Sequence, residues 1–338
     1  MALRRAELNL QWAEEAPDGL VFACRIEAPG RNVQIGLGEV RSSLDMPEGF
    51  VWVHLNGAAQ PAKHWLTSCG LVPEAICDAL LDKDERTRLE RLGEAVFGVV
   101  GDSPVGADPD PWLLAAVRFY LDRRCLITTR RRAVAGPARL VKNLRDGLPM
   151  ATPAEVLNTM LNYIADDVEA RTRELARDTD GVEDEVLAGR VGLARERLGQ
   201  TRRRAARLRR QVAVRRRAAD RFRSRLPTWL SETDRFELLD VLDRFETLAD
   251  ELEAIEQRET GLQAEIAAQL SEDTNRNLFV LSVVTVVLLP MTLITGIFGM
   301  NVAGLPGLQD PEAFWWVMWA VVGAGVLCFA ALYRWMRF

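Results

Sequence analysis

The pattern of hydrophobic and polar residues changes several times along the 338-residue chain. Up to about residue 150, short runs rich in β-branched and aromatic residues predict strands. These runs are 20–26, 50–55, 96–100, 113–120 and 125–129. Apolar residues at helical spacing predict helices around 73–82 and 137–146. The first part of the chain is therefore expected to be an α+β domain, with sheet and helices packed as an α/β sandwich.

After Thr152-Pro153 the strand pattern stops, and charged, helical sequence continues with breaks at Gly189 and at Leu226-Pro227. Ser231, with Asp234 three residues later, has the spacing of an N-terminal helix cap. Apolar residues then recur at three-and-four spacing, as in a helix that packs along one stripe. They are Leu238, Leu242, Phe245, Ala249, Leu252, Ile255, Leu262 and Ile266. A helix from Ser231 to Phe298 would be about 100 Å long at roughly 1.5 Å per residue.

Two uncharged apolar stretches lie near the C-terminus, at 278–298 and 314–333. Each is long enough for a hydrocarbon core of about 30 Å, which favours two transmembrane helices over buried core helices. Arg276 precedes the first stretch, Arg334 and Arg337 follow the second, and 299–313 contains no lysine or arginine. This distribution predicts that both ends are cytoplasmic. Trp315, Trp316 and Trp319 have the position of interfacial anchors.

The chain is thus expected to combine a cytosolic α+β domain, long stalk helices and two C-terminal transmembrane helices. The predicted parts are a cytosolic domain (1–150), a helical hairpin (151–230), a stalk helix continuing into the first span (231–298), an outer loop (299–313), a second span (314–333) and a cytosolic tail (334–338).

Composition narrows the functional classes. A net charge of −5 and a pI near 5.4 argue against a nucleic-acid-binding protein. The charged N-terminus lacks the apolar core of a secretory signal, and the five scattered cysteines contain no CxxC pair, so the first domain is expected in the cytoplasm without disulfides. No nucleophile elbow, phosphate loop or pair of catalytic acids stands in a convincing context, so an enzyme is not expected and no cofactor is predicted.

The first apolar stretch carries a polar stripe. Its members recur at three-and-four spacing and fall on one helical face: Asn275, Leu278, Ser282, Thr285, Leu289, Thr292 and Gly296. Serine and threonine in membrane helices often bond their own backbone carbonyls, which is one interpretation of the stripe. The other is a pore, because the stripe is uncharged and leads to Gly299-Met300-Asn301. Several copies around an axis would line a narrow tunnel with hydroxyl and amide groups.

The motif also indicates a family. Asn275-Arg276-Asn277, followed by the run from Leu288-Leu289-Pro290 to Gly299-Met300-Asn301, resembles the signature of the CorA family of metal ion transporters. The resemblance implies a homopentamer in a bacterial inner membrane, with a funnel-shaped cytosolic domain and a pore lined by the first span. It implies an outer ring at Asn301, with Thr292, Gly296 and Asn275 facing the pore further in.

The loop from Asn301 to Gly307 looks like that of the zinc-transporting ZntB branch, although Ala303 replaces a glycine of that pattern. Zinc uptake is therefore the first hypothesis, and a magnesium channel that also passes cobalt or nickel is the alternative. No Cys, His, Asp or Glu lies on the first span, so zinc would pass largely hydrated and cadmium, cobalt and nickel would compete. Direction and proton coupling stay open. A membrane-anchored coiled-coil scaffold or sensor is the alternative of another class.

Three further groups are candidates. Asp310 and Glu312 are the only charges of the outer loop and would attract cations. His54, His64, Cys69 and Cys77 are the only cluster of soft ligands, but their spacing fits no zinc motif, and His54 is expected in the core. The segment 202–225 contains twelve arginines and one acid, Asp220, whereas 231–274 contains 14 acids. Pairing of these two helices is expected, ahead of contact with lipid or nucleic acid.

Overall fold

Seven strands form one mixed sheet in the computed structural model, which describes residues 17–105, 115–300, 305 and 312–335. The strands are β1 (Leu20–Ala28), β2 (Arg31–Gln34), β3 (Phe50–Asn56), β4 (Arg88–Leu92), β5 (Ala95–Asp102), β6 (Ala115–Leu121) and β7 (Cys125–Arg130). Their order across the sheet is β2-β1-β3-β7-β6-β5-β4. Among these described strands, only β3 and β7 pair in parallel; the other pairs are antiparallel.

Helices cover both faces of this sheet. A short 3-10 turn (Leu37–Glu39) is followed by α1 (Val40–Asp45), α2 (Gln60–Ser68) and α3 (Glu74–Leu81), and α4 (Ala135–Arg145) comes after β7. Alternate residues along the strands enter two separate hydrophobic clusters. Val51 and Val53 pack with Leu66 of α2 and Leu80 of α3, whereas Trp52 lies in the cluster that contains Leu140 of α4.

Two long helices follow, α5 (Pro153–Leu187) and α6 (Val191–Arg223). The side chain of Thr152 caps α5 by accepting a hydrogen bond from the Glu155 amide at 3.0 Å. Gly189, between α5 and α6, has a φ of 73°, a left-handed conformation that glycine adopts without strain. Apolar residues of both helices enter the same cluster as Trp52.

The longest helix, α7, runs from Glu232 to Phe298. The Ser231 hydroxyl accepts a hydrogen bond from the Asp234 amide at 3.0 Å, as the sequence predicted. The chain divides into two compact units, and the division falls within α7, between Gly261 and Leu262. Leu238, Leu242, Phe245 and Leu252 are buried within the first unit, in the cluster shared with α5 and α6.

The second unit contains the later part of α7 and helix α8 (Ala313–Trp335). Both helices are long and apolar enough to cross a membrane. The predicted fold class is confirmed: a sheet with helices on its faces, then long helices, then two apolar C-terminal helices. The strands predicted from β-branched runs are all present, although 113–114 lie outside the described residues.

Candidate pore-lining face of helix α7

The polar stripe predicted from the sequence lies on one continuous helix. Asn275, Leu278, Ser282, Thr285, Leu289, Thr292 and Gly296 all belong to α7 and are all exposed in the single chain. At 100° per residue the seven positions fall within about 100° of the helix circumference. Even the large side chains among them are open, since Leu278 is 56% and Leu289 63% exposed.

Helix α8 covers a different face of α7. Within 278–298, the half-buried residues of α7 are Val283, Val287, Pro290, Met291 and Ile294. A Cβ atom added at Gly325 of α8 would lie 2.9 Å from Sδ of Met291, so the two helices are in close contact there. On a helical projection this face lies about 150° from the polar stripe. The stripe therefore points away from the second apolar helix.

Hydroxyl groups on the stripe donate hydrogen bonds to backbone carbonyls of α7 itself. Ser282 donates to the carbonyl of Leu278 at 2.8 Å, Thr285 to that of Leu281 at 2.8 Å, and Thr292 to that of Leu288 at 2.9 Å. The backbone bonding considered from the sequence is thus present. It is compatible with a pore, because a hydroxyl that donates to its own backbone still presents oxygen lone pairs to the outside.

Pro290 is a feature to which sequence reasoning assigned no role. It lies inside α7 and has no amide hydrogen, so the carbonyl of Val286 lacks its usual helical donor. In an apolar surrounding such a carbonyl needs another partner, or a wet surface. Its position within the signature motif was the signal that could have identified it.

The end of the stripe is partly outside the described residues. α7 ends at Phe298, and the Gly299 amide still donates to the Thr295 carbonyl at 2.9 Å. Met300 is 53% exposed. Asn301 and Asp310 lie outside the described residues. Glu312 is exposed, and its carbonyl accepts a hydrogen bond from the Trp315 amide at 3.0 Å at the start of α8.

The four soft-ligand candidates do not form one site. His54 is buried in β3 and shares a 2.8 Å hydrogen bond with Thr128. Burial, with the nearby charge of Arg130, lowers its pKa to about 3, so His54 is a neutral core residue, as expected. His64 is exposed on α2. Within the described residues no three His, Cys, Asp or Glu side chains are grouped to hold a metal ion.

Arginines of α6 pair with acids of α7, as the sequence predicted. Arg216 contacts Asp250 at 2.8 Å, Arg223 contacts Glu246 at 3.1 Å, and Arg209 contacts Glu256. Arg215 is different, because it is buried and donates to the Gly101 carbonyl at 2.7 Å. These contacts account for part of the arginine run without a nucleic-acid partner.

Comparison with known proteins identifies the family. Residues 47–334 match the family described as CorA-like Mg2+ transporter protein. The chain belongs to the CorA family. The signature at the end of α7 lies within the matched region, so the family predicted from that motif is confirmed. A CorA family member is a divalent cation transporter, which supports the expectation that the chain is not an enzyme.

Relatives with individual names agree with this assignment. The divalent cation transporter CmaX of Pseudomonas aeruginosa is 28% identical over 88% of this chain and 90% of its own length. The zinc transport protein ZntB of Pectobacterium carotovorum is 27% identical over 94% of this chain and 96% of its own length.

Solved structures of CorA relatives share the fold. Full-length CmaX superimposes with a TM-score of 0.80 at 26% identity, covering 96% of this chain and all of CmaX. The complete CorA magnesium transporter from Methanocaldococcus jannaschii gives 0.75 at 17% identity, covering 93% of this chain and 97% of the other. The ZntB cytoplasmic domain of Vibrio parahaemolyticus gives 0.63 at 13% identity over 75% of this chain and 98% of that domain, a likeness of fold alone.

Proposed function

We propose that five copies of this chain surround a pore lined by α7, and that zinc crosses a bacterial inner membrane through it. The observation that carries the proposal is the uncharged stripe from Asn275 to Gly296, which is exposed in the single chain and faces away from α8. Hydroxyl and amide groups on a lone span are costly in lipid. Around a shared axis they would instead face water and ions.

The stripe suits a hydrated cation. Divalent cations lose their water reluctantly, and neutral oxygens can accept hydrogen bonds from that water without holding the ion too tightly. The hydroxyls of Ser282, Thr285 and Thr292 donate to carbonyls of their own helix. Toward the proposed pore they would therefore act as hydrogen-bond acceptors. In this proposal Asn301 forms the outer ring beside Gly299 and Met300, Gly296 leaves room, Leu289 and Leu278 are apolar constrictions, and Asn275 is the inner amide ring.

Charges around the pore would guide the ion. Asp310 and Glu312 lie in the outer loop of the proposed topology and would raise the local concentration of cations. Both termini would lie in the cytoplasm, with the arginines that flank the apolar helices on that side. The cation is cargo of the proposed pore, and the lipid bilayer and further copies of the chain are its proposed partners.

Zinc is the first choice of ion because relatives along nearly the whole chain are named zinc transport proteins. Magnesium is the second candidate, since the family is described by that ion. A scaffold without transport activity has no comparable support. Uptake into liposomes, comparing zinc with magnesium and with a pH gradient imposed or absent, distinguishes the two ions and tests proton coupling.

The lining is tested by two threonines whose hydroxyls both bond the backbone of α7. Thr292 lies on the stripe, whereas Thr295 lies on α7 away from it, and each donates to a backbone carbonyl of its own helix. We expect Thr292→Val to reduce zinc uptake at least about tenfold, a barrier increase of about 1.4 kcal/mol, and Thr295→Val to leave uptake near the unmodified rate. Asn301→Ala should abolish uptake without preventing assembly. Equal effects of both threonine changes, or normal uptake by Asn301→Ala, would contradict the assigned lining.

A further inference from the structure

Two cysteines of the first unit converge on a single backbone atom. Cys69 follows α2 directly and Cys77 lies within α3. The Sγ of Cys69 donates to the carbonyl oxygen of Leu66 at 3.3 Å, and the Sγ of Cys77 donates to the same oxygen at 3.4 Å. Cys77 also donates to the Val72 carbonyl at 3.5 Å. The two thiols are therefore close neighbours.

The turn between the helices creates this arrangement. Gly70 directly after Cys69 has a φ of 65°, which reverses the chain at low cost only because the residue is glycine. α3 then starts at Glu74 and carries Cys77 back toward the end of α2. The eight-residue separation matches no metal motif, so the sequence grouped these thiols with His54 and His64 without singling them out.

The surroundings favour a cation that can reach the pair from outside. Cys69 is half-buried, and Cys77, 2% exposed, lies beneath the surface. Two carboxylates of α3, Glu74 and Asp78, are exposed and add negative charge near Cys77. Burial first, then the neighbouring Cys69 and these carboxylates, raises the pKa of Cys77, so a bound cation must displace a proton.

We propose that Cys69 and Cys77 form a two-thiolate site for a soft cation, of which cadmium and zinc are the examples. Binding converts two thiols and one divalent ion into a bis-thiolate complex and two released protons, with water completing the coordination. A zinc–sulfur bond is about 2.3 Å, so one ion joins two sulfurs up to about 4.6 Å apart. Sulfurs at 3.3 and 3.4 Å from one oxygen are at most about 6.7 Å apart, so binding in this proposal includes rotation about the Cα–Cβ bonds that brings them within that reach. The site is separate from the pore and does not depend on the proposed transport.

Cadmium is the probe because, as a soft cation, it prefers sulfur ligands. Its thiolate complexes absorb in the ultraviolet. Full-length protein in mild detergent, kept reduced by a phosphine, is titrated with cadmium while the sulfur-to-metal charge-transfer band is followed. We expect a band that saturates at a single ion per chain and weakens as the pH is lowered. Cys69→Ser and Cys77→Ala should each weaken binding at least about tenfold, and the double variant should lose the band.

Cys328→Ser is the matched control, because Cys328 lies in α8 outside the first unit. It should keep the full band. Circular dichroism and elution volume show whether each variant is folded, and the half-buried Cys69 keeps the test decisive if Cys77→Ala is unstable. A band that persists in Cys69→Ser, or a pair that only forms a disulfide when the reductant is removed and never binds cadmium, would overturn the proposal. Zinc uptake by Cys69→Ser tests transport separately.

Discussion

The apolar residues of α7 are covered in the earlier part of the helix and left open in the later part. In the first unit, its buried face is covered by the chain's own helices: Leu238, Val241, Leu242, Phe245, Leu248 and Leu252 are at most 4% exposed. From Leu278 onward the leucines are open instead, with Leu281 62% and Leu293 61% exposed. The earlier part is covered within one chain, whereas the later part is left open and, in the proposed function, would be covered by lipid and by further copies of the chain.

Polar residues follow the same contrast. Arg244 of the earlier part is held by the chain itself, through Asn162 at 2.6 Å, Asp166 at 3.0 Å and Glu169 at 3.1 Å. Hydroxyls of the later part bond only their own helix and otherwise face outward. Satisfied polar groups fix a fold, and outward-facing ones can meet a ligand. The difference explains why a single chain can bury the core of its first unit but cannot by itself form the proposed pore.

The largest expected effect comes from matched leucines in the two parts. Leu252→Ala removes a side chain that is 1% exposed, and we expect it to lower the free energy of unfolding by about 2–5 kcal/mol. Leu289→Ala removes one that is 63% exposed and should leave that free energy unchanged within about 0.5 kcal/mol. Urea unfolding in mild detergent, followed by circular dichroism, measures both. Equal losses would contradict the contrast.

A smaller effect is expected where α8 meets the later part of α7. At Gly325 an added Cβ would lie 2.9 Å from the sulfur of Met291, whereas at Gly323 nothing lies within 4 Å. Gly325→Leu therefore overpacks the contact, which typically costs about 1–3 kcal/mol. Gly323→Leu is the control. Heating in detergent followed by size-exclusion chromatography should show earlier loss of the assembly for Gly325→Leu alone, and an equal shift for both variants would argue against this contact.

Much of this architecture could be predicted from the sequence, and the exceptions have physical causes. The central strands are buried and β-branched, so their pattern was readable, but β2 and β4 are edge strands with charged, partly exposed residues that resemble loops. Helix α2 was missed because Ala59 at its N-cap provides no side-chain hydrogen bond and the helix is short.

Part of the candidate site could also be predicted from the sequence, and part of it could not. Helical spacing predicted the stripe of α7 because the helix is regular, but the contact of Met291 with Gly325 depends on the packing of two helices that spacing does not determine. Glu259 is buried at a position between Ile255 and Leu262 of α7. It was not predicted as a packing position because the pattern includes only apolar residues. Convergence of Cys69 and Cys77 depends on one turn and could not be read from their separation.

The buried carboxyl groups predict how the free energy of unfolding depends on pH. Burial raises the pKa of Asp102 and of Glu259 to about 7. At Asp102 the amides of Gly136 and Ser103 and, less strongly, the charge of Arg215 oppose this rise, while the charge of Asp167 adds to it. At Glu259 the charge of Arg202 opposes the rise. In the unfolded chain both return to about 4. The folded state therefore holds more protons across this window, and the free energy of unfolding should rise as the pH falls from 8 toward 5.

The double variant Asp102→Asn, Glu259→Gln should have the flatter profile, by up to about 1.4 kcal/mol per pH unit and group. His54 acts in the opposite direction below about pH 6.5, because its pKa is lowered to about 3 in the fold and the unfolded chain takes up the proton. Its contribution is common to both proteins and cancels in their difference. Urea unfolding of both proteins at several pH values between 8 and 5 gives that difference. If the two profiles are parallel, these carboxyls do not cause the pH dependence of the free energy of unfolding.

The smallest expected effect concerns the ion pairs that join α6 to α7. Arg216 contacts Asp250 at 2.8 Å and Glu246 at 3.6 Å, but its side chain is 38% and that of Asp250 61% exposed. Water already solvates such charges, so Arg216→Gln should lower the free energy of unfolding by less than about 1 kcal/mol, and less still in high salt. Arg244→Gln is the comparison, because Arg244 bonds three side chains of α5 and should cost more. Urea unfolding at low and high salt ranks the two, and a larger loss for Arg216→Gln would mean that the exposed pairs, and not the apolar face with Arg244, hold the earlier part of α7 in place.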